Sequence, residues 1–293
     1  MKRDTRLIHT GRPKGSEGYV NAPVGRASTV LAPSTDELYG PTPPRRHYGR
    51  GGVSPNGELR EALCDLYAAD HCALSPSGLA SVVLAIRAAI DAPGEALITD
   101  SVYGPVRRFC DEELPRLGVT PRYYDPRAGS GIAGMTSDQT RMILLESPGS
   151  LTFEVQDIAA ITDAAKAVGA ATVIDDTWSA GLLMNPLDHG VDYAAQALTK
   201  YVGGHSDFLA GSVTARGQAA ARLKARESLY GQHVSPDDAF LALRGFRTLS
   251  LRMERSGANG LILAERLHSH DRVAKALHPA LQESPDNALY RKY

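Results

Sequence analysis

From residue 56 onward, apolar and polar positions alternate between two periods. Leu59, Leu63, Leu66 and Tyr67 fall on one face of a repeat of about 3.6 residues, and Asn56 before them reads as an N-cap, so a helix is predicted. Further helices are predicted over 78–91 ("GLASVVLAIRAAID"), near 105–115 and over about 157–168. Short apolar runs separate them. Residues 95–100, 120–125, 141–147 and 171–176 read as strands, and 193–199 and 211–215 are strand-like. Strands alternating with helices of this length predict an α/β architecture, a mainly parallel sheet covered on both faces. In such a sheet ligands bind at the carboxyl ends of the strands, so the loops that follow them are where chemistry is to be sought.

The flanks differ. Residues 1–55 are rich in Gly, Pro, Ser and Arg, include "PTPPRRHYGRGG" at 41–52, and show little periodicity, which predicts an extended arm. Toward the other end, Ser235 as N-cap, Pro236 in the first helical position and Asp237 and Asp238 in the first turn mark the start of a long helix. The organisation read from this is an arm (1–55), a sheet domain (56–234), and a bridging helix with the start of a further domain (235–293).

Charge and cysteine content narrow the function classes. Thirty-two basic and 33 acidic side chains leave a net charge of -1, without the basic excess of a nucleic-acid binder. No apolar run is long enough for a membrane span or a signal peptide. Cys64, Cys72 and Cys110 form no CxxC pair, which suggests neither a disulfide framework nor a zinc site, and no metal is expected. A cytoplasmic protein whose partners are small molecules or copies of itself fits best.

Four segments carry candidate chemistry. In "ALTKYVGGHSD" (197–207) Lys200 would stand just past a strand. A lysine in a partly desolvated, electropositive place loses its proton below its usual value of about 10.4 and becomes a nucleophile toward an aldehyde. Thr199 beside it offers a hydroxyl to a phosphate. The plainer reading of this segment alone is a solvated lysine at a strand end. In "VIDDTWSAG" (173–181) an apolar strand ends in two carboxylates, and Asp175 is the better candidate to keep a pyridine nitrogen protonated, against the commoner fate of a capping or solvated aspartate. Trp178 there is by composition more often core than ligand contact. "SPSGLAS" (75–81) opens a helix at Gly78 and Leu79, where free N–H groups bind phosphate, although it is also an ordinary cap. Tyr103 follows a strand and could stack on a planar ring, or be a plain turn tyrosine.

These four segments, in this order, resemble the Cys/Met-metabolism family of pyridoxal-phosphate enzymes, from about Thr5 to the end of the chain. TKY..GHSD at 199–207 and IDDTW at 174–178 are the specific part of the match. The resemblance implies an aspartate-aminotransferase-like (type I) fold with a mainly parallel seven-stranded sheet, and pyridoxal 5'-phosphate as cofactor. It implies that Lys200 carries the cofactor as an imine, that Asp175 faces its ring nitrogen and that Tyr103 stacks on it. Gly78, Leu79 and Thr199 would be phosphate ligands. "HYGRGG" (47–52) resembles a Tyr-x-Arg that family members insert into a neighbouring subunit, which gives Tyr48 and Arg50 a place at the partner's cofactor in a homotetramer built from dimers. Ala197 replaces a serine that many members carry, which puts one phosphate contact in doubt.

Trp178, together with "ESPGSLTFE" (146–154), leans toward the branch that breaks a carbon–sulfur bond at Cβ. The implied substrate is cystathionine or another cysteine conjugate, and the implied products are homocysteine, pyruvate and ammonia, a step of methionine biosynthesis. Family members continue through a smaller α+β domain with an arginine for the substrate carboxylate, so a truncated C-terminal domain without that arginine is expected, with Arg244, Arg247 and Arg252 as substitutes to test. Other readings are γ-elimination or γ-replacement on the same scaffold, and a silent cofactor-binding remnant. A nucleotide-binding oxidoreductase is a distant alternative, since no GxGxxG opens a βαβ unit.

Overall fold

The computed structural model describes residues 2–14, 18–40 and 48–293. Seven strands form one sheet: β1 (His71–Ser75), β2 (Gly94–Thr99), β3 (Val119–Tyr124), β4 (Thr140–Glu146), β5 (Ala171–Asp175), β6 (Tyr193–Ala197) and β7 (Gly211–Ala215), in the order β1-β7-β6-β5-β4-β2-β3. All neighbouring pairs are parallel except those of β7, which runs antiparallel to both β1 and β6. The expected α/β class and mainly parallel seven-stranded sheet are therefore observed. Strand β1 was not expected, because its five residues "HCALS" give no alternation and too short a run to separate from a loop.

The helices are α1 (Arg3–His9), α2 (Thr35–Tyr39), α3 (Asn56–Tyr67), α4 (Gly78–Ala89), α5 (Gly104–Glu113), α6 (Ile158–Val168), α7 (Gly217–Tyr230), α8 (Pro236–Phe246), α9 (Leu249–His268) and α10 (Asn287–Lys292). Strands β2, β4, β5 and β6 read as nearly continuous apolar runs because both faces are covered, one by a core that includes Leu84, Ile86, Ile98 and Leu144, the other by one that includes Leu97, Ile143, Ile158 and Ile161.

Three local expectations need correction. Asn56 lies inside α3 and its side chain donates to Val234 O at 2.8 Å, a tertiary bond that takes it away from capping. The arm contains α1 and α2, with Leu7 buried against the core under α8 and α9. The long helix from Ser235 is two helices. Ser235 does cap α8, accepting from Asp238 N–H at 3.0 Å, but the helix ends at Phe246. Gly245 lies against the carbonyls of Val202 and Gly203, the latter oxygen only 2.6 Å from where a Cβ would stand, and α9 restarts after Thr248.

Strand register decides what shares an edge. Ser75 pairs with Gly211, and Gly211 with Ala197, so the end of β1 and the end of β6 lie side by side across the start of β7. Asp175 pairs with Glu146. One edge of the sheet thus gathers the loops after β1, β2, β4, β5 and β6.

Candidate active site

A cleft of about 1190 Å³ opens at this edge, lined among others by Glu146, Asp175, Trp178, Thr199, Lys200 and Arg252. Lys200 follows β6 by three residues, in a turn held by its own N–H to Ala197 O at 3.1 Å and by Gly204 N–H to Lys200 O at 2.8 Å. Its side chain is exposed in the cleft.

Asp175 is half-buried at the end of β5. Its Oδ1 accepts both the N–H (3.0 Å) and the hydroxyl (2.6 Å) of Thr177, while Oδ2 accepts no hydrogen bond among the described residues. Desolvation raises its pKa above the ordinary aspartate value despite the Thr177 donors. Asp176, the alternative in the sequence, points the other way. It is fully buried, takes the Tyr67 hydroxyl at 2.6 Å, Gly181 N–H at 2.8 Å and the Ser179 hydroxyl, and burial pushes its pKa up to about 7.

The phosphate segment adjoins the cleft rather than lining it. Ser77 caps α4, accepting from Ala80 N–H at 3.1 Å, so the N–H groups of Gly78 and Leu79 at the first turn keep no intrahelical partner. Gly78 is pressed onto Ala197: a Cβ there would collide with the Ala197 methyl and stand 3.0 Å from its Cα. Only glycine lets the helix start reach the turn that carries Thr199 and Lys200. Thr199 exchanges two bonds of 3.1 Å with Ala210, its hydroxyl donating to the carbonyl and accepting from the N–H.

Tyr103 stands exposed at the start of α5, tied to the cleft through its N–H, which donates to Glu146 Oε2 at 2.7 Å. Tyr48 and Arg50 are not brought to this cleft. Tyr48 bridges to Thr29 and is exposed, with the Arg50 guanidinium 5.8 Å from its ring centre. Arg45, Arg46 and His47 lie outside the described residues. Of the three substitute arginines, Arg252 lines the cleft but spends its guanidinium on Val202 O (3.1 Å), Gly245 O (2.7 Å), Tyr201 O and the Thr248 hydroxyl (3.0 Å). Arg247 donates to Asn21 and Val20, Arg244 borders a separate hollow beside Asn21 and Phe240, and neither lines the cleft.

Glu146 is a cleft residue that motif reading passed over, although it opens the quoted "ESPG" segment. Its position as the carboxylate that ends an apolar strand run was the available signal.

These residues fit pyridoxal phosphate. Asp175 offers a free carboxylate oxygen for a ring nitrogen, Lys200 an amine for the aldehyde, and the opening of α4, cleared by Gly78, two N–H groups for a phosphate. Fold and cleft together bring a lysine and an aspartate from neighbouring strand ends to one cleft of an α/β fold. The family model for "Cys/Met metabolism PLP-dependent enzyme" matches residues 4–293, and the chain belongs to that family. It is 42% identical to a putative cystathionine beta-lyase of Rhizobium johnstonii, over 99% of this chain and 73% of that one. To the cystathionine beta-lyase MetC of Escherichia coli it is 37% identical, over 99% and 75%. A solved cystathionine gamma-lyase from Lactobacillus plantarum, complexed with L-serine, superposes with a TM-score of 0.92 at 27% identity, covering 100% of this chain and 75% of that one. The chain thus spans about three quarters of the length of these relatives. Among the described residues no helix is long and apolar enough to cross a membrane.

Proposed function

We propose that the chain is a carbon–sulfur β-lyase that cleaves cystathionine to homocysteine, with pyruvate and ammonia following, in methionine formation. The observation that carries the reading is one cleft lined by both Lys200 and Asp175, in a chain whose 42% and 37% identical relatives are cystathionine β-lyases. Bound pyridoxal phosphate supplies an aldehyde for the amine and a ring that accepts the electron pair left at Cα. Asp175 Oδ2 holds the proton at the ring nitrogen, and Thr177 keeps that carboxylate aimed by taking Oδ1. Lys200 Nζ takes the Cα proton and then delivers a proton to the departing sulfur. The N–H groups of Gly78 and Leu79, with Thr199, hold the phosphate. Tyr103 covers the ring. Tyr48 and Arg50 act in a neighbouring subunit of a cytoplasmic homotetramer.

Product analysis on cystathionine tests this. Pyruvate and homocysteine are expected; 2-oxobutyrate and cysteine would instead assign a γ-lyase, and absence of both in a chain that binds the cofactor would overturn the reading.

A further inference from the structure

Glu146 closes β4 beside Asp175 and is only 8% exposed. Its two oxygens reach two different loops. Oε2 accepts the N–H of Tyr103 (2.7 Å) from the loop after β2, and Oε1 accepts the hydroxyl of Ser150 (2.5 Å) from the loop after β4. The second loop crosses back to the first, where Ser150 N–H donates to Ser101 O at 2.9 Å. It then turns through Leu151 (φ 67°) and Phe153 (φ 62°), left-handed conformations that side chains other than glycine adopt only when held. The Phe153 ring ends edge-on to Trp178, centroids 5.2 Å apart, three residues past Asp175.

We propose that Glu146 is a positioning residue, which clamps the Tyr103 loop and the 147–153 loop together and so sets the wall that Phe153 and Trp178 present to the cleft. Burial and a neighbouring charge both favour its neutral form. Asp175 is the charged side chain acting on it, and its other partners, Tyr103 N–H and the hydroxyl and N–H of Ser150, are uncharged donors. Burial first, and then the Asp175 carboxylate, push its pKa up to about 8. For its kinetic consequences this inference rests on the β-lyase reading; the clamp itself does not.

Trp178 is the single tryptophan of the chain, so its emission reports on this wall without interference. In the full chain, before and after cofactor is added, Glu146→Ala is expected to shift Trp178 emission to longer wavelength. It should also lower cystathionine kcat about 10- to 100-fold through misplaced groups, with a smaller change in KM. Glu146→Gln has the shape of the neutral acid and should keep the wild-type emission and a kcat within about 3-fold. Before cofactor is added, wild-type emission should titrate with a midpoint near pH 8, and the Gln variant should show no such transition. Unchanged emission in Glu146→Ala overturns the clamp, and a Gln variant as impaired as Ala overturns its neutrality. If Glu146→Ala does not fold, Ser150→Ala removes one arm alone: an intermediate emission shift supports the clamp, and an unshifted spectrum refutes it. A chain that never turns over cystathionine would sink the β-lyase reading and leave these fluorescence outcomes intact.

Discussion

Replacing Tyr67 by phenylalanine deletes one oxygen from a polar cluster that lies beneath the cleft and wholly out of solvent. The Tyr67 hydroxyl donates to Asp176 Oδ2 at 2.6 Å and accepts from Gln196 Nε2 at 3.1 Å, and all three residues are at most 1% exposed. The variant keeps the ring, which packs on Gly181, but weakens the set of donors around Asp176 and strands an amide N–H of Gln196. A hydrogen bond to a charged group is worth about 1.5–3 kcal/mol, and a buried donor left alone costs a similar amount, so a loss of about 3 kcal/mol is expected when Asp176 is ionised. At about 2–4 °C per kcal/mol for a large domain, the melting temperature should fall by about 6–12 °C.

The pH dependence makes this test specific. Burial raises the pKa of Asp176 from its ordinary acidic value to about 7 in the folded chain, so the fold binds the extra proton and this group's contribution to stability declines as pH rises from about 4 to 7. The Tyr67 hydrogen bond opposes that shift by favouring the carboxylate. Without it the carboxyl titrates still higher, so the penalty should be smaller by about 1 kcal/mol or more at about pH 5.5, where both forms are protonated and the stranded Gln196 donor is the main cost, than at about pH 8.5. Denaturant unfolding of wild type and Tyr67→Phe at the two pH values measures the difference. Equal destabilisation at both would refute an ionisable Asp176 at the centre of this cluster.

Three further outcomes are expected. On the proposed function, Asp175→Asn should retain cofactor absorbance but lose turnover by at least about 100-fold, because the charge proposed to face the ring nitrogen would disappear while the proposed phosphate contacts would stay; parallel loss of both would point to a structural role. Gly78→Ala forces a methyl into Ala197, so melting should show a loss of about 1–3 kcal/mol and equilibrium dialysis a weaker hold on cofactor; a neutral result would mean that the start of α4 does not need this close approach. If Tyr48 serves a neighbouring copy, mixing inactive Lys200→Ala with inactive Tyr48→Phe should restore part of the activity through hybrid sites, and no recovery despite proven subunit exchange would count against sharing.

By itself the sequence determined the α/β class, the sites of most strands and helices and the segments around Lys200, Asp175 and Gly78, because hydrophobic period and strand-end chemistry are local properties written over five to twelve neighbours. Ser235 is an example: its cap bond spans three residues, and the pattern Ser-Pro-Asp-Asp is sufficient to specify it. What only the tertiary structure decided depends on contacts between distant residues. The reversal of β7 follows from pairing with β1 and β6, which no property of "GSVTA" encodes. The separate fates of Asp175 and Asp176, identical side chains one residue apart, follow from opposite faces of a strand: one reaches the cleft, the other meets Tyr67 from 109 residues earlier. Glu146 acquires its two loop contacts from Tyr103, 43 residues away, and Ser150, and Arg252 is drawn from the open cleft onto carbonyls about fifty residues before it. Such pairings satisfy buried polar groups wherever the fold happens to bring donors and acceptors together, so they become visible only once the chain has closed on itself.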